Sequence, residues 1–201
     1  TPHYVPGTKV CLNRQTRPSP HTMVHRVLRK MSVLVRDATP DDVHMIAEIH
    51  VASWRNTYKG IVPQVFLDSM DVDERAQRWT RSFDKTTCKL IVAEVDTVIV
   101  GWCYFGVCRD TDVDPHTAEL WAIYIHPLSI NRGIGHALWA SATESLLAQG
   151  YMRSIVWVVK ENERAIRFYS KSGFVADGNE KTITIDDATL QELRMTALLK
   201  A

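Results

Sequence analysis

No run of apolar residues in this 201-residue chain approaches the ~20 that a membrane-spanning helix needs, so no membrane partner is expected. Cysteine is scarce. The four, at positions 11, 88, 103 and 108, have the spacing of neither a disulfide framework nor paired zinc knuckles, so no metal is expected. A reducing cytosol is the simplest compartment, and the expected localisation is cytoplasmic. A strong charge of either sign is also lacking: 24 Lys and Arg face 23 Asp and Glu, a formal net charge of +1, which argues against a dedicated nucleic-acid binder. Neither glycine (9) nor proline (8) reaches the level of a collagen-like or low-complexity chain. What remains is an ordinary globular composition, 45% hydrophobic, long enough for one medium domain with a real apolar core.

The near-zero charge conceals two unlike segments. Residues 1–31 carry Lys9, Arg14, Arg17, Arg26, Arg29 and Lys30 and no acid, together with four of the eight prolines and no sustained hydrophobic period. The remainder holds 18 basic and 23 acidic side chains, a balance of −5. The first segment is expected to be a basic N-terminal tail outside the fold, with a single domain over 32–201. Its Arg-rich, acid-free composition also suits a transit peptide, but it has no apolar core of the kind a secretory signal requires.

Along the domain, Val33 to Arg36 reads as a strand, and Thr39-Pro40-Asp41-Asp42 as a helix opening, with Thr39 as cap and Pro40 at the first position. A second helical zone from about Val65 to Phe83 is expected in two pieces. Lys89 to Val95 and Val98 to Val107 are strand-like, joined by a hairpin at Asp96-Thr97. A polar loop with Asp110, Asp112 and Asp114 leads to a strand from Ala118 to Ile125. A helix then runs from about Gly133 to Gln149, closed by Gly150. Ser154 to Val159 is a strand, Asn162 to Ser172 a short helix, and Thr182 to Ile185 and Glu192 to Leu198 close the order. Strand–helix–strand crossovers set among hairpins make an α/β protein with a mixed sheet flanked by helices.

The stretch after the Ala118–Ile125 strand is the most informative. Pro127 breaks the strand, and Asn131-Arg132-Gly133-Ile134-Gly135-His136 leads into an amphipathic helix. Glycines let the backbone turn sharply and let a ligand approach the amides, and free N–H groups at a helix start attract anions. Arg132 adds a positive charge, so a pyrophosphate is a natural guest. The lysine of a P-loop is missing. A dinucleotide fingerprint would meet Leu138 at its third small position, and about 40 residues after Glu161 are too few for the rest of that fold. By itself the loop is equally compatible with a structural strand–helix turn.

Some 30 residues on, Asn162-Glu-Arg-Ala165-Ile-Arg-Phe168-Tyr169-Ser-Lys-Ser-Gly173-Phe174 supplies a second motif. Together the two resemble the GNAT acetyltransferase superfamily, whose acetyl-CoA loop reads approximately Q/R-x-x-G-x-G/A after a strand. Its later helix reads N-x-x-A-x-x-F-Y-x-x-x-G-F, and every fixed position of that pattern is present. The resemblance spans about residues 32–200. The loop departs from the family at Ile130 and Asn131, where Gln or Arg and then Gly are usual. Trp157 occupies the position where some members carry a catalytic carboxylate.

The resemblance implies a GNAT-type fold and an acetyl-CoA-dependent N-acetyltransferase. Acetyl-CoA would be the co-substrate, its pantetheine arm lying along Ile123, Tyr124 and Ile125 and held by Asn162. Asn131, Arg132, Gly133, Ile134, Gly135 and His136 would cradle the pyrophosphate, His136 through its backbone. Acetyl transfer needs an uncharged amine, a polarised carbonyl and a proton for the departing thiolate. Tyr169 is the candidate general acid, and Glu119, at the start of its strand, the candidate base. Cys103 and Cys108 read as small hydrophobes. Trp54 and Tyr58 lie in the region that borders the acceptor in members acting on small amines. The −5 balance and the three loop aspartates favour a small cationic acceptor such as a polyamine or aminoglycoside. Two other readings stand beside it: a protein N-terminal or lysine acetylase, and a non-catalytic acyl-CoA-binding sensor. Dimers are common in the superfamily, so a homodimer is one expected assembly.

Overall fold

Seven strands join in one sheet in the computed structural model, which describes residues 32–83 and 86–200; the basic segment read as a tail lies outside the described residues. The strands are β1 (Val33–Asp37), β2 (Cys88–Val95), β3 (Val98–Val107), β4 (Thr117–Ile125), β5 (Arg153–Val159), β6 (Val175–Ile185) and β7 (Ala188–Leu198). Their order is β1-β2-β3-β4-β5-β7-β6. Every neighbouring pair is antiparallel except β4 and β5, which are parallel and linked by a helical crossover. Among the described residues no helix is long and apolar enough to cross a membrane.

Among the described residues five α-helices cover the sheet: α1 (Val43–Thr57), α2 (Gln64–Ser69), α3 (Val72–Thr80), α4 (Ile134–Ala148) and α5 (Glu163–Lys171). The apolar stripes seen in the sequence decide which face each takes. Leu138, Ala142 and Leu146 of α4 pack with Cys103, Phe105 and Val156 on one face. Ile46, Ala47 and Ile49 of α1, with Trp79 of α3, pack against Val92, Trp102 and Tyr104 on the other. Each large side chain fully buried in this way contributes about 1.5–3 kcal/mol of transfer free energy. Ahead of α1, Asp42 accepts from the Thr39 amide at 2.7 Å and pairs with Arg36 at 2.7 Å. The Arg36 guanidinium holds the Asp42 carboxyl down to about 2.

The two-piece helical zone and the Asp96-Thr97 hairpin are present as the sequence predicts, both turn residues at positive φ (49° and 67°) as a two-residue hairpin requires. The last hairpin differs from expectation. Its first strand begins at Val175 rather than near Thr182, and β7 begins at Ala188. The missed stretch, Asp177-Gly178-Asn179-Glu180, is polar because β6 is a sheet edge open to solvent. The register jumps there between Ala176 and Glu180. Cys103 is buried as a small hydrophobe, whereas Cys108 is only partly so.

One β-bulge shapes the rest. Tyr104 pairs with Ala122 and Phe105 with Leu120, so β4 spends one residue more than β3, at Trp121. The parity of β4 therefore switches: Ala118, Leu120, Ile123 and Ile125 face α4, while Trp121, Ala122 and Tyr124 face α1. A bulge also bends its strand. β4 and β5 are paired only at Thr117–Arg153, Ala118–Ser154 and Glu119–Ile155, and they separate where the bulge begins.

On the α1 face, His50 is buried among Trp54, Trp79, Trp102 and Tyr124, with ring centroids 5.2–6.0 Å away and neither ring nitrogen hydrogen-bonded. Burial, and secondarily the charge of Arg75, lowers its pKa from 6.5 to about 3. The neutral ring is the folded form, so its contribution is complete above pH 6.5 and is lost as pH falls toward 3. Urea unfolding at a series of pH values checks this. Wild type should lose up to about 1.4 kcal/mol per pH unit through His50 below its unfolded pKa, and His50→Leu should have a shallower slope. Equal slopes would mean that His50 is not buried neutral.

Candidate active site

Where β4 and β5 separate, a cleft of about 450 Å³ opens between their edges. Trp121 to Ile125 form one wall and Trp157 to Val159 the other. β4 remains bonded to β3, and β5 to β7, so each strand turns one edge of backbone groups toward the opening. An extended ligand can add to such an edge much as another strand would.

The loop before α4 borders the cleft. Asn131 (φ 62°) and Gly133 (φ 79°) both take the left-handed conformation, and Gly133 caps α4. This double reversal turns the chain from β4 into the helix. The first-turn amides have no partner within the helix, so their dipoles suit an anion. Asn131, Gly133, Ile134, Gly135 and His136 line the cleft, whereas Arg132 is exposed beside them. Ile134 has its side chain in the core, which leaves only its backbone to serve a ligand.

Gly135 has a purpose that the sequence does not reveal. A Cβ there would meet Cε2 of Phe168 at 3.0 Å, so the missing side chain lets α4 approach α5 closely. The two motifs of the sequence thus touch each other, and His136 also packs on Phe168, with centroids 5.3 Å apart.

From α5, Asn162 and Tyr169 reach the same cleft. Asn162 caps the helix, accepting from the Ala165 amide at 3.1 Å. Tyr169 is buried against Phe168 and Phe174. Burial first, then the neighbouring Tyr58 and Cys103, pushes its phenol well above the ordinary range, so it stays protonated and able to donate. From α1, the Trp54 indole donates to the Tyr124 hydroxyl at 2.9 Å, and Ser53 donates to the Ile125 carbonyl at 2.9 Å. Burial raises the Tyr58 pKa, and hydrogen bonding with Asn162 works against that rise. Trp54, Tyr58, Tyr124, Asn162 and Tyr169 thereby converge on one opening.

Glu119 is not brought into the cleft. It is 1% exposed at the last paired position of β4 and β5. Its carboxylate accepts from the Arg109 amide and Nε, both at 3.0 Å, and pairs with Arg109 Nη2. A carboxylate so neutralised and enclosed is a structural anchor for the β3–β4 loop. The three loop aspartates likewise have partners within the chain, although Asp112 and Asp114 are exposed. Asp110 and Asp112 pair with Arg194 Nη1 at 2.9 and 2.8 Å, and Asp114 accepts from the His116 amide at 2.7 Å. Asp177 completes the group around Arg194 at 2.7 Å.

The sheet order brings further residues to the cleft, of which the sequence marks Trp121 as an aromatic and Trp157 only as the replacement of a carboxylate. Trp157 lines the cleft, with its indole N–H donated to Asp110 at 3.0 Å. Trp121 faces it with Arg109 stacked 4.4 Å from its ring centre. Ile183, Ile185 and Glu192 come from the β6–β7 hairpin, and among the described residues Glu192 is the one acid lining the cleft. A signal for Glu192 existed: it lies on the strand read from Glu192 to Leu198. Placing it required knowing that β7 lies beside β5.

The model of the acetyltransferase (GNAT) family matches residues 44–174. The chain is 32% identical over 140 residues to the uncharacterized N-acetyltransferase YuaI of Bacillus subtilis, covering 70% of this chain and 79% of that protein. It is 22% identical over 155 residues to the spermidine N(1)-acetyltransferase of Thermoplasma acidophilum, covering 75% and 92%. Among solved structures, the PaiA N-acetyltransferase of T. acidophilum in complex with coenzyme A matches with a TM-score of 0.66 at 21% identity, covering 84% of this chain and 99% of that one; this likeness is one of fold.

The Gly135–Phe168 contact can be checked by calorimetric titration with coenzyme A. Gly135→Val should weaken binding by at least about tenfold, because the displaced Phe168 ring shifts α5 against the loop. Adding Phe168→Leu should recover part of the loss; no recovery would locate the effect at the backbone–ligand approach instead.

Proposed function

This chain belongs to the acetyltransferase (GNAT) family and is an acetyl-CoA-dependent N-acetyltransferase, and we propose that it transfers the acetyl group directly to a primary amine of a small cationic molecule, such as a polyamine or an aminoglycoside. The observation that carries this reading is the make-up of the cleft: a helix start suited to an anion and the basic residues Arg164, Arg167 and Lys171 of α5 border it, and Trp54, Tyr58, Trp121 and Trp157 line it together with the one acid among the described lining residues, Glu192. The distant relationship to a spermidine N(1)-acetyltransferase supports the same class of acceptor.

In this reading the loop amides from Asn131 to His136, with Arg132 beside them, hold the pyrophosphate of the donor. The β4 edge at Ile123, Tyr124 and Ile125 holds the pantetheine arm, and the Asn162 amide steadies it from the α5 side. When bound, acetyl-CoA supplies the thioester carbonyl that the amine attacks. Trp54 and Tyr58 wall the acceptor, excluding water and aligning the amine with the reacting carbon. Tyr169 donates its proton to the departing sulfur, and the proton that the attacking nitrogen loses restores the phenol, so the transfer balances without a further base. Its burial keeps the phenol protonated at neutral pH, and the protein leaves that proton no better destination until thiolate forms. Glu119 has no part in this scheme, because its carboxylate is committed to Arg109.

Thiol release from acetyl-CoA across a panel of polyamines, aminoglycosides and free-N-terminus peptides tests the reading. Turnover is expected with the polyamines or aminoglycosides. Preferential turnover of peptides would assign the chain to protein acetylation, and coenzyme A binding without turnover on any amine would make it a sensor. Tyr169→Phe should lower kcat by about a hundredfold or more while leaving coenzyme A affinity nearly intact. An unchanged kcat would remove Tyr169 from the acid role.

A further inference from the structure

Cross-strand register places an unusual group at the acceptor end of the cleft. Val159 on β5 is opposite Glu192 on β7, and Glu192 is opposite Lys181 on β6, so these residues share one face of the sheet with Trp157. Lys181 reaches across β7. Its ammonium lies 4.0 Å from the centre of the Trp157 ring and 3.4 Å from Glu192 Oε2. A ring face and a carboxylate around one ammonium is the arrangement by which proteins bind alkylammonium ligands.

The three members are not equally fixed. Trp157 is anchored by its bond to Asp110, which Arg194 holds in turn. The Glu192 side chain is largely buried, at 16% exposure, and lines the cleft. Lys181 is the loose member: it stands on the edge strand, is 39% exposed, and makes an ion pair longer than a good hydrogen bond. The cation is thus the component that exchanges most readily with one from solution. Glu192 is also close enough to Tyr58 for its charge to act on that hydroxyl, so the site adjoins the wall assigned to the acceptor.

We propose that Trp157 and Glu192 form a second-ammonium site that selects di- and polyamine acceptors, and that Lys181 is a built-in stand-in which such an acceptor displaces. This rests on the reading of the protein as a small-amine acetyltransferase and refines its substrate class. One amine of the acceptor sits at the thioester, while a protonated amine further along the molecule lies on the Trp157 ring beside Glu192. Lys181 keeps the carboxylate paired when no acceptor is bound, avoiding a half-buried unpaired charge. Its departure to solvent costs little, since its flexible stem is already part-exposed.

The test compares linear diamines, from diaminopropane to diaminohexane, with the monoamines of matching length. Steady-state KM is measured for wild type, Glu192→Gln, Trp157→Leu and Lys181→Met, alongside direct titration of each diamine into the coenzyme A-loaded protein. Glu192→Gln should raise the diamine KM about tenfold more than the monoamine KM, with Trp157→Leu in the same direction. Lys181→Met should lower the diamine KM by about threefold or more, because the competing cation is gone. If monoamines and diamines respond alike to all three substitutions, the group is only a cross-strand ion pair and the proposal is overturned while the acetyltransferase reading stands. If no amine is turned over, the acceptor reading fails. The titration still decides the site: diamine binding lost in Glu192→Gln supports it, and the same affinity in wild type and variant, or none in wild type, refutes it.

Discussion

The bulge at Trp121 is the constraint on which the rest of this structure depends. A strand that spends one extra residue against its neighbour must bend, and it must also exchange the faces to which its side chains point. β4 does both. It leaves β5 after three paired residues, and it turns Tyr124 toward α1 while Ile123 and Ile125 turn toward α4. Without the bend the parallel pairing would continue and close the cleft. Without the parity switch, Trp121 and Tyr124 would not share a face with Trp54 and Tyr58. The two sides of the cleft, the loop before α4 and the aromatic wall, are set apart because β4 spends one residue more than β3.

Holding two strands apart leaves polar backbone and charged side chains near an opening, and the protein fixes that region with ion pairs rather than with more sheet. Arg194, 5% exposed, gathers Asp110 and Asp112 from the β3–β4 loop and Asp177 from the β6 edge. Arg109 does the same for Glu119 at the apex of the split. Each guanidinium offers a planar fork of donors suited to carboxylates, and arginine keeps its charge when half-enclosed. Asp110, Asp112, Asp177 and Glu119 are thereby committed to arginines, and among the described residues Glu192 is the one acid lining the cleft, alongside Arg164, Arg167 and Lys171.

Much of this was legible in the sequence, and residue by residue the reason is locality. The left-handed turn at Gly133, the Asn162 cap, the Asp96-Thr97 hairpin and the apolar stripe of α4 each depend on neighbours a few positions away. The loop motif and the later helix motif were legible as well, and their resemblance to the GNAT superfamily is what implied a coenzyme A cradle. The exposed first half of β6 was not legible, since a solvated edge strand carries no apolar alternation. Nor was the purpose of Gly135, because its partner Phe168 lies on another helix.

The roles of the charged residues belong to the tertiary structure. From the sequence, Asp110, Asp112 and Asp114 favoured a cationic acceptor and Glu119 was the candidate base. In the fold Glu119 is held by Arg109, and Arg194, 84 and 82 positions from Asp110 and Asp112, meets them only when β7 is inserted beside β5. Backbone conformation is settled by sterics over a few residues, so the sequence by itself determined most of the elements and the two motifs that carry the family likeness. Whether a carboxylate faces a ligand or an arginine is settled by sheet order across the whole chain, and that only the folded structure decided.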